Sequence, residues 1–164
     1  MANQICQTMV EHYGFRLYMI QGNHDAWLFK HLRGEIEPDF VLGRLIRKMA
    51  ITSNEWCDVV SGDIRFRVEH GANYSSSNPL RVAQKLSARF RMPVVMGHQH
   101  HAVTGWDDSG EMQCIASGGV FDPTKLSYYN KSHRASPAMT QGFVIIQHGW
   151  ATHFSPQDPI VKAL

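Results

Sequence analysis

Three times in this chain a short apolar run of strand length stops at a polar turn that carries amide or imidazole groups. Leu17-Tyr18-Met19-Ile20 runs into Gly22-Asn23-His24-Asp25. The run over residues 64–68 ends at Glu69-His70-Gly71-Ala72, and the run over 92–96 ends at Gly97-His98-Gln99-His100. Apolar runs of this length, bounded by turn residues, are strand signals. The chain must therefore fold so that several strands end in loops able to present Asn and His side chains.

The segments between these runs read as helices at first. Residues 3–13 repeat Ile5, Met9, Val10 and Tyr13 at helical intervals, and Gly14 can cap that helix. Residues 15–20 form a strand candidate. Residues 26–32 are again helical in pattern. Residues 40–49 carry Leu42, Leu45, Ile46 and Met49 on one stripe, with Arg44, Arg47 and Lys48 off it. Cys57-Asp58-Val59-Val60, a turn at Ser61-Gly62-Asp63 and the run 64–68 predict a β-hairpin. Asn78 is placed to cap a helix over 79–91, with Pro79 at its first turn. Strand-like runs then dominate: 102–106, 112–116, 143–147 and 151–154. Residues 122–137 show no period and predict a surface excursion. Helices alternating with strands, then strands alone, predict an α/β layered sheet with a β-rich second half.

Length and composition narrow the rest. The 164 residues suit a single domain with a real core. A net charge of +2 does not mark a nucleic-acid binder. Cys6, Cys57 and Cys114 are odd in number and widely spaced, which fits neither a disulfide framework nor a zinc ribbon; they read as buried thiols in a reducing compartment. No signal peptide or membrane span is visible, so a cytoplasmic protein without membrane attachment is expected.

The chemistry lies in the three turns. Hydrolysis of a phosphate ester at neutral pH needs an activated water and positive charge against the phosphoryl oxygens, and two divalent ions supply both. Such ions need imidazole, amide and carboxylate ligands from loops converging at strand ends. In an extended segment, His98 and His100 at i and i+2 point to one side, with Gly97 easing the turn, while His101 points away. Asn23 offers a neutral amide oxygen, and His70, beside the permissive Gly71, another nitrogen. His24 can be a cation that protonates the leaving alkoxide if Asp25 supports it. The other histidines, 12, 31, 133, 148 and 153, lack ligand spacing. Arg81, Lys85, Arg89 and Arg91 give one helix a basic face that reads as solvated, and Trp27 reads as a packing residue.

The ordered set Gly22-Asn23-His24-Asp25, His70-Gly71 and Gly97-His98-Gln99-His100 resembles the calcineurin-like metallophosphoesterase superfamily, in particular its bacterial and phage members. Gly118-Gly119-Val120-Phe121-Asp122-Pro123 is similar to that family's glycine-bearing segment after the last metal loop. The resemblance implies a four-layer α/β/β/α sandwich and metal-dependent hydrolysis of phosphomonoesters or phosphodiesters. It implies that Asn23, His70 and His98 bind one metal and His100 the other, with His24 at the leaving group. The metal pair it implies is manganese first, then iron, zinc or nickel.

The family's leading motifs, Asp-x-His and Gly-Asp-x-x-Asp, do not precede Gly22, and Gly62-Asp63 reads as a hairpin turn rather than a substitute. Residues 1–164 are therefore expected to be a single, partial domain corresponding to the C-terminal portion, incomplete at its N-terminus. Its expected partners are a phosphate-ester substrate, DNA or a nucleotide, and a separate N-terminal segment carrying the missing carboxylates. A rival reading is a non-catalytic remnant or interaction module that binds at most one metal. Within the enzyme class, a DNA-processing nuclease competes with a small-substrate phosphatase.

Overall fold

In a computed structural model of the chain, residues 11–12, 17–23, 27, 30–31, 49–52, 55–72, 74, 76–120 and 139–162 are described. The chain divides into two compact units, Met1–Cys57 and Asp58–Leu164.

In the first unit, β1 (Leu17–Ile20) and β2 (Met49–Thr52) pair in parallel, Leu17 against Met49 through Ile20 against Thr52. β1 is the strand expected before the Gly22 turn. β2 overturns one expectation: Met49, assigned above to a helical stripe, opens a strand. β2 shares only Met49 with the pattern over 40–49; its four residues are too few to display a period of two, and their strand character comes from β1, far away in sequence. The remainder of that stripe, residues 40–48, lies outside the described residues, as does most of the helix expected over 3–13, of which Glu11 and His12 are helical. Trp27 is 61% exposed, so it is not the packing residue its sequence context suggests.

The second unit is built on one mixed sheet. A two-residue turn at Gly62-Asp63 joins β3 (Trp56–Ser61) to β4 (Ile64–Glu69), as the hairpin pattern predicts. β5 (Val94–Met96), β6 (Ala102–Trp106) and β7 (Gln113–Ser117) complete a sheet of order β3-β4-β5-β7-β6. β4, β5 and β7 are parallel, and β6 runs antiparallel to β7. The α/β class read from the sequence is the class of the structure.

Alternation along the strands gives each face of this sheet its own core. Helix α1 (Pro79–Phe90) lays Val82, Ala83 and Leu86 on Val94, Met96, Cys114 and Ala116. Those helical positions recur at i, i+1 and i+4, one stripe of an amphipathic helix. Asn78 caps it as predicted, its Oδ1 accepting from the Leu80 amide at 3.0 Å. The helix stops at Arg91, which is a left-handed cap (φ 55°) rather than a last helical residue; its N–H donates to the Ser87 carbonyl. The opposite face carries Phe66, Val95 and Ile115, covered by the hairpin β8 (Phe143–Gln147) and β9 (Trp150–Phe154) through Val144, Ile146 and Ala151. The turn of that hairpin, His148-Gly149, has both φ values positive (51° and 75°), the geometry that matches strand twist. Gln113 fastens β9 to the sheet: its Nε2 donates to the Ala151 carbonyl and its Oε1 accepts from the Ala151 amide.

Burying a Leu, Val or Ile side chain fully contributes about 1.5–3 kcal/mol. Leu86, Val82, Val94 and Ile115 are all fully buried, so the middle of the sheet is firmly held. Burial also pushes the Cys114 thiol up to about 11, which keeps it protonated and unreactive. Cys57 is half-buried, so the three-thiol expectation holds for Cys114 and not for Cys57; Cys6 lies outside the described residues.

Candidate metal centre

Parallel pairing decides which loops meet. Glu69 is in register with Met96, and Met96 with Ala116. The residues that follow, His70, Gly97 and Ser117-Gly118, therefore leave the sheet side by side at one end. The Gly97 amide donates to the Glu69 carbonyl at 3.1 Å, so the loops after β4 and β5 start from a shared hydrogen bond.

The structure brings two of the predicted ligands together. His98 Nδ1 lies 3.1 Å from His70 Nε2. The rings meet edge to face, with centroids 4.9 Å apart and planes at 69°. Both side chains are half-buried. Gly71, with φ 74°, makes the turn after His70 in a backbone region where a Cβ is strained.

The loop over 97–101 does not have the extended geometry expected of it. β5 ends at Met96 and β6 begins at Ala102. Between them the Gln99 amide donates back to the Gly97 carbonyl at 2.8 Å, closing a three-residue turn around His98. The φ values of His98 and His100 are 68° and 56°. Strand alternation therefore does not set the directions of His98, His100 and His101. The histidines themselves occupy the left-handed region, and Gly97 does not use its conformational freedom. Non-glycine residues held there cost about 1–2 kcal/mol each, and such residues cluster at functional sites.

The same loop holds an unsatisfied group. Gln99 Oε1 is buried and has no hydrogen-bond partner. A buried carbonyl oxygen left so costs about 1–3 kcal/mol. On the neighbouring strand β4, the carboxylate of Glu69, the residue before His70, is committed to Arg67 in a buried pair at 2.5 Å, with the guanidinium 3.7 Å from the Phe90 ring centroid.

The donors fit a divalent ion at two positions. Metal–imidazole bonds of roughly 2.0–2.1 Å place two adjacent ligand nitrogens about 2.9 Å apart at a right angle and about 3.4 Å apart at the tetrahedral angle. The observed 3.1 Å falls between these. The same separation suits a hydrogen bond when one facing nitrogen carries the proton. With both facing nitrogens deprotonated, the two lone pairs would be open to share a cation. Among the described residues, no three His, Cys, Asp or Glu side chains gather in a metal-holding group.

The remaining predicted residues stand as follows. Asn23 is half-buried in the first unit, and the buried Gly22 links it to β1. It is helical, three positions before the Ala26 at which a helix is expected to begin. His24 and Asp25 lie outside the described residues. His100 is half-buried, and its carbonyl accepts from the Thr140 amide at 2.8 Å. Sequence reasoning missed Gln99 and Thr140. An amide flanked by two histidines was the available signal for the first. Nothing local marks the second, which reaches the loop from 40 positions on.

No family model and no curated protein matches the chain. Among solved structures, it is similar to wild-type Vps29 from Entamoeba histolytica complexed with Zn2+, at 14% identity and a TM-score of 0.42 over 88% of each chain. A single mutant of that protein aligns at 12% identity and a TM-score of 0.40 over 84% of this chain and 94% of its own. A double mutant aligns at 13% and 0.40 over 70% and 71%. A likeness of this size assigns neither family nor activity.

Proposed function

We propose that the protein is a metal-dependent phosphoesterase of the calcineurin-like type. The observation that carries this reading is the 3.1 Å pairing of His70 Nε2 with His98 Nδ1 at the ends of adjacent parallel strands. Support also comes from the order of the Asn and His motifs along the chain, and the mixed sheet is consistent with that fold.

When bound, divalent ions supply positive charge against the phosphoryl oxygens and lower the pKa of a water molecule. The chain's own part is to hold and orient. His70 and His98 offer facing nitrogens to one ion, Asn23 adds an amide oxygen, and His100 serves the second ion. By its place in the motif, His24 would donate a proton to the leaving oxygen, with Asp25 as the adjacent candidate to support its charge. Imidazole ligands suit iron, zinc and nickel, and the amide and carboxylate oxygens of the complete site would admit manganese. A separate segment brings the bridging carboxylates, and the substrate is a phosphate ester, a nucleotide or DNA. The location is cytoplasmic; among the described residues no helix is long and apolar enough to cross a membrane.

A second reading, a remnant that binds one metal without catalysis, is favoured by the lack of a three-ligand His/Cys/Asp/Glu group among the described residues. Calorimetric titration with MnCl2 and ZnCl2, followed by assay of bis(p-nitrophenyl) phosphate with the chain joined to a segment that carries the bridging carboxylates, separates the two. The enzyme reading expects saturable metal binding, weakened about 100-fold or more by His98→Ala, together with metal-dependent hydrolysis. Binding without hydrolysis supports the remnant. Affinity that His98→Ala leaves unchanged removes the centre from this place.

A further inference from the structure

Behind the histidine loop lies a cavity of about 430 Å³, within the usual size of small-molecule sites. Its walls include Thr140, Gln141, His153, Ser155, Pro156 and Gln157. None of its lining residues is a Lys, Arg, Asp or Glu. The cavity is joined to the candidate metal centre by backbone. The Thr140 amide donates to the His100 carbonyl at 2.8 Å, and Thr140 Oγ1 accepts from the Ala102 amide. The Gly118 amide donates to the His101 carbonyl at 3.1 Å. Gly118, at φ 72°, passes so close that a Cβ there would lie 2.7 Å from the Thr140 carbonyl oxygen. Wall and loop are one hydrogen-bonded unit.

The wall chemistry is specific. His153 Nε2 lies 3.3 Å from the Ser117 carbonyl, which only accepts, so Nε2 carries the proton. In the neutral ring Nδ1 is then an acceptor. Ser155 Oγ accepts from the Gln157 amide and retains a hydroxyl proton to donate, as does Thr140. Gln141 and Gln157 add amide groups, while Pro156 and Ala102 give apolar surface. Such a wall suits an uncharged group with hydrogen-bonding edges. A phosphate would lose its hydration there without a cation in return.

We propose that this cavity is the subsite for the uncharged body of the ester, a nucleoside-sized group recognised by its hydroxyl and amide edges while its phosphate lies at the histidine centre. The inference rests on the phosphoesterase reading and extends it to substrate class: a small nucleoside phosphate rather than a nucleic-acid duplex.

The test uses adenosine and methyl β-ribofuranoside as probes, titrated into the metal-free protein and followed by amide chemical shifts. Neither probe has a phosphate, so the outcome does not depend on whether the centre binds metal or hydrolyses anything. Saturable shifts at Thr140, Gln141, His153 and Ser155 are expected. Adenosine alone identifies the base as the recognised part; both probes identify the sugar. Ser155→Phe, which fills the space, should weaken binding at least tenfold. Gln157→Ala, at an exposed position outside the core, should weaken it about two- to tenfold, and decides the matter if Ser155→Phe fails to fold. Absence of saturable shifts with both probes, shifts confined to another surface, or parental affinity in Gln157→Ala overturns the proposal. Hydrolysis of a phosphodiester without adenosine binding would sink this inference and leave the proposed activity standing. Adenosine binding without hydrolysis would do the reverse.

Discussion

The two ends of β6 are finished in opposite ways. At one end, the loop over 97–101 places His98 and His100 in the left-handed region and leaves a buried amide oxygen of Gln99 without a partner. At the other, the loop over 107–112 satisfies itself. Asp107 Oδ1 accepts from the Ser109 hydroxyl and from the amides of Glu111 and Met112, and its Oδ2 from Ser109 again. The Asp107 amide donates to the Met112 carbonyl, and a glycine, Gly110, takes the φ of 77°. Both loops turn the same sheet, so topology does not require strain in one of them. The strained and unsatisfied loop is the one that holds the candidate ligands. Local rules are broken there and kept in the loop over 107–112, the pattern expected where geometry serves a ligand rather than the fold.

The largest effect expected from this contrast is on stability, and it has opposite signs at the two loops. Gln99→Leu replaces a side chain whose amide oxygen is orphaned with an apolar one of similar size. It should raise the unfolding free energy of the metal-free protein by about 1–3 kcal/mol, read from the denaturant midpoint at constant slope. Asp107→Ala removes an acceptor used by three donors and should lower the midpoint. A loss of stability in Gln99→Leu would mean that the oxygen is satisfied in solution, and the contrast between the loops would collapse.

Much of this arrangement can be read in the sequence, and the part that cannot has a physical reason. The cap at Asn78, the turn at Gly62-Asp63 and the bounds of β6 follow from residues a few positions apart. The three polar turns identify His70 and His98 by type. Their contact follows from the register of Glu69 against Met96, a parallel pairing across more than twenty residues that no local pattern encodes. β2 escaped notice for the same reason, since its partner is β1. The left-handed histidines were hidden because positive φ is read from glycine, and here Gly97 sits beside the residues that adopt it. Asn23 was recognised by its motif, while the roles given to His24 and Asp25 fall outside the described residues.

Backbone strain gives the next, smaller effect. Gly110 has a positive φ, and a Cβ added there would meet nothing within 4 Å. Gly110→Ala thus isolates the dihedral penalty from crowding, and should lower stability by about 1 kcal/mol. That figure calibrates what the chain pays at His98 and His100, where the same region is occupied by residues that carry a side chain. A neutral Gly110→Ala would show that this backbone tolerates the left-handed region at little cost, and the strain assigned to the histidine loop would have to be reduced by the same amount.

The smallest effect is a pH dependence confined to the satisfied loop. The Ser109 hydroxyl, then the Met112 amide, hold the Asp107 carboxyl below its ordinary 3.8. A depressed carboxyl pKa means that the unfolded chain binds the proton more readily than the folded one. The resulting stability is complete above the unfolded value and is lost as pH falls through the folded value. Between neutral pH and about 5 the loop should therefore be indifferent to acid, and below 3.8 its amide protection at Glu111 and Met112 should fall before that of β5 and β7. The solvent around Asp107 screens this contribution, so global stability should move little while local hydrogen exchange reports it clearly. Asp107→Ala should abolish the local acid response without changing exchange at 97–101. If both loops instead lose protection together in that window, their hydrogen-bond networks are coupled through β6, and the division between a self-satisfied end and a ligand-serving end is not one the folded chain maintains.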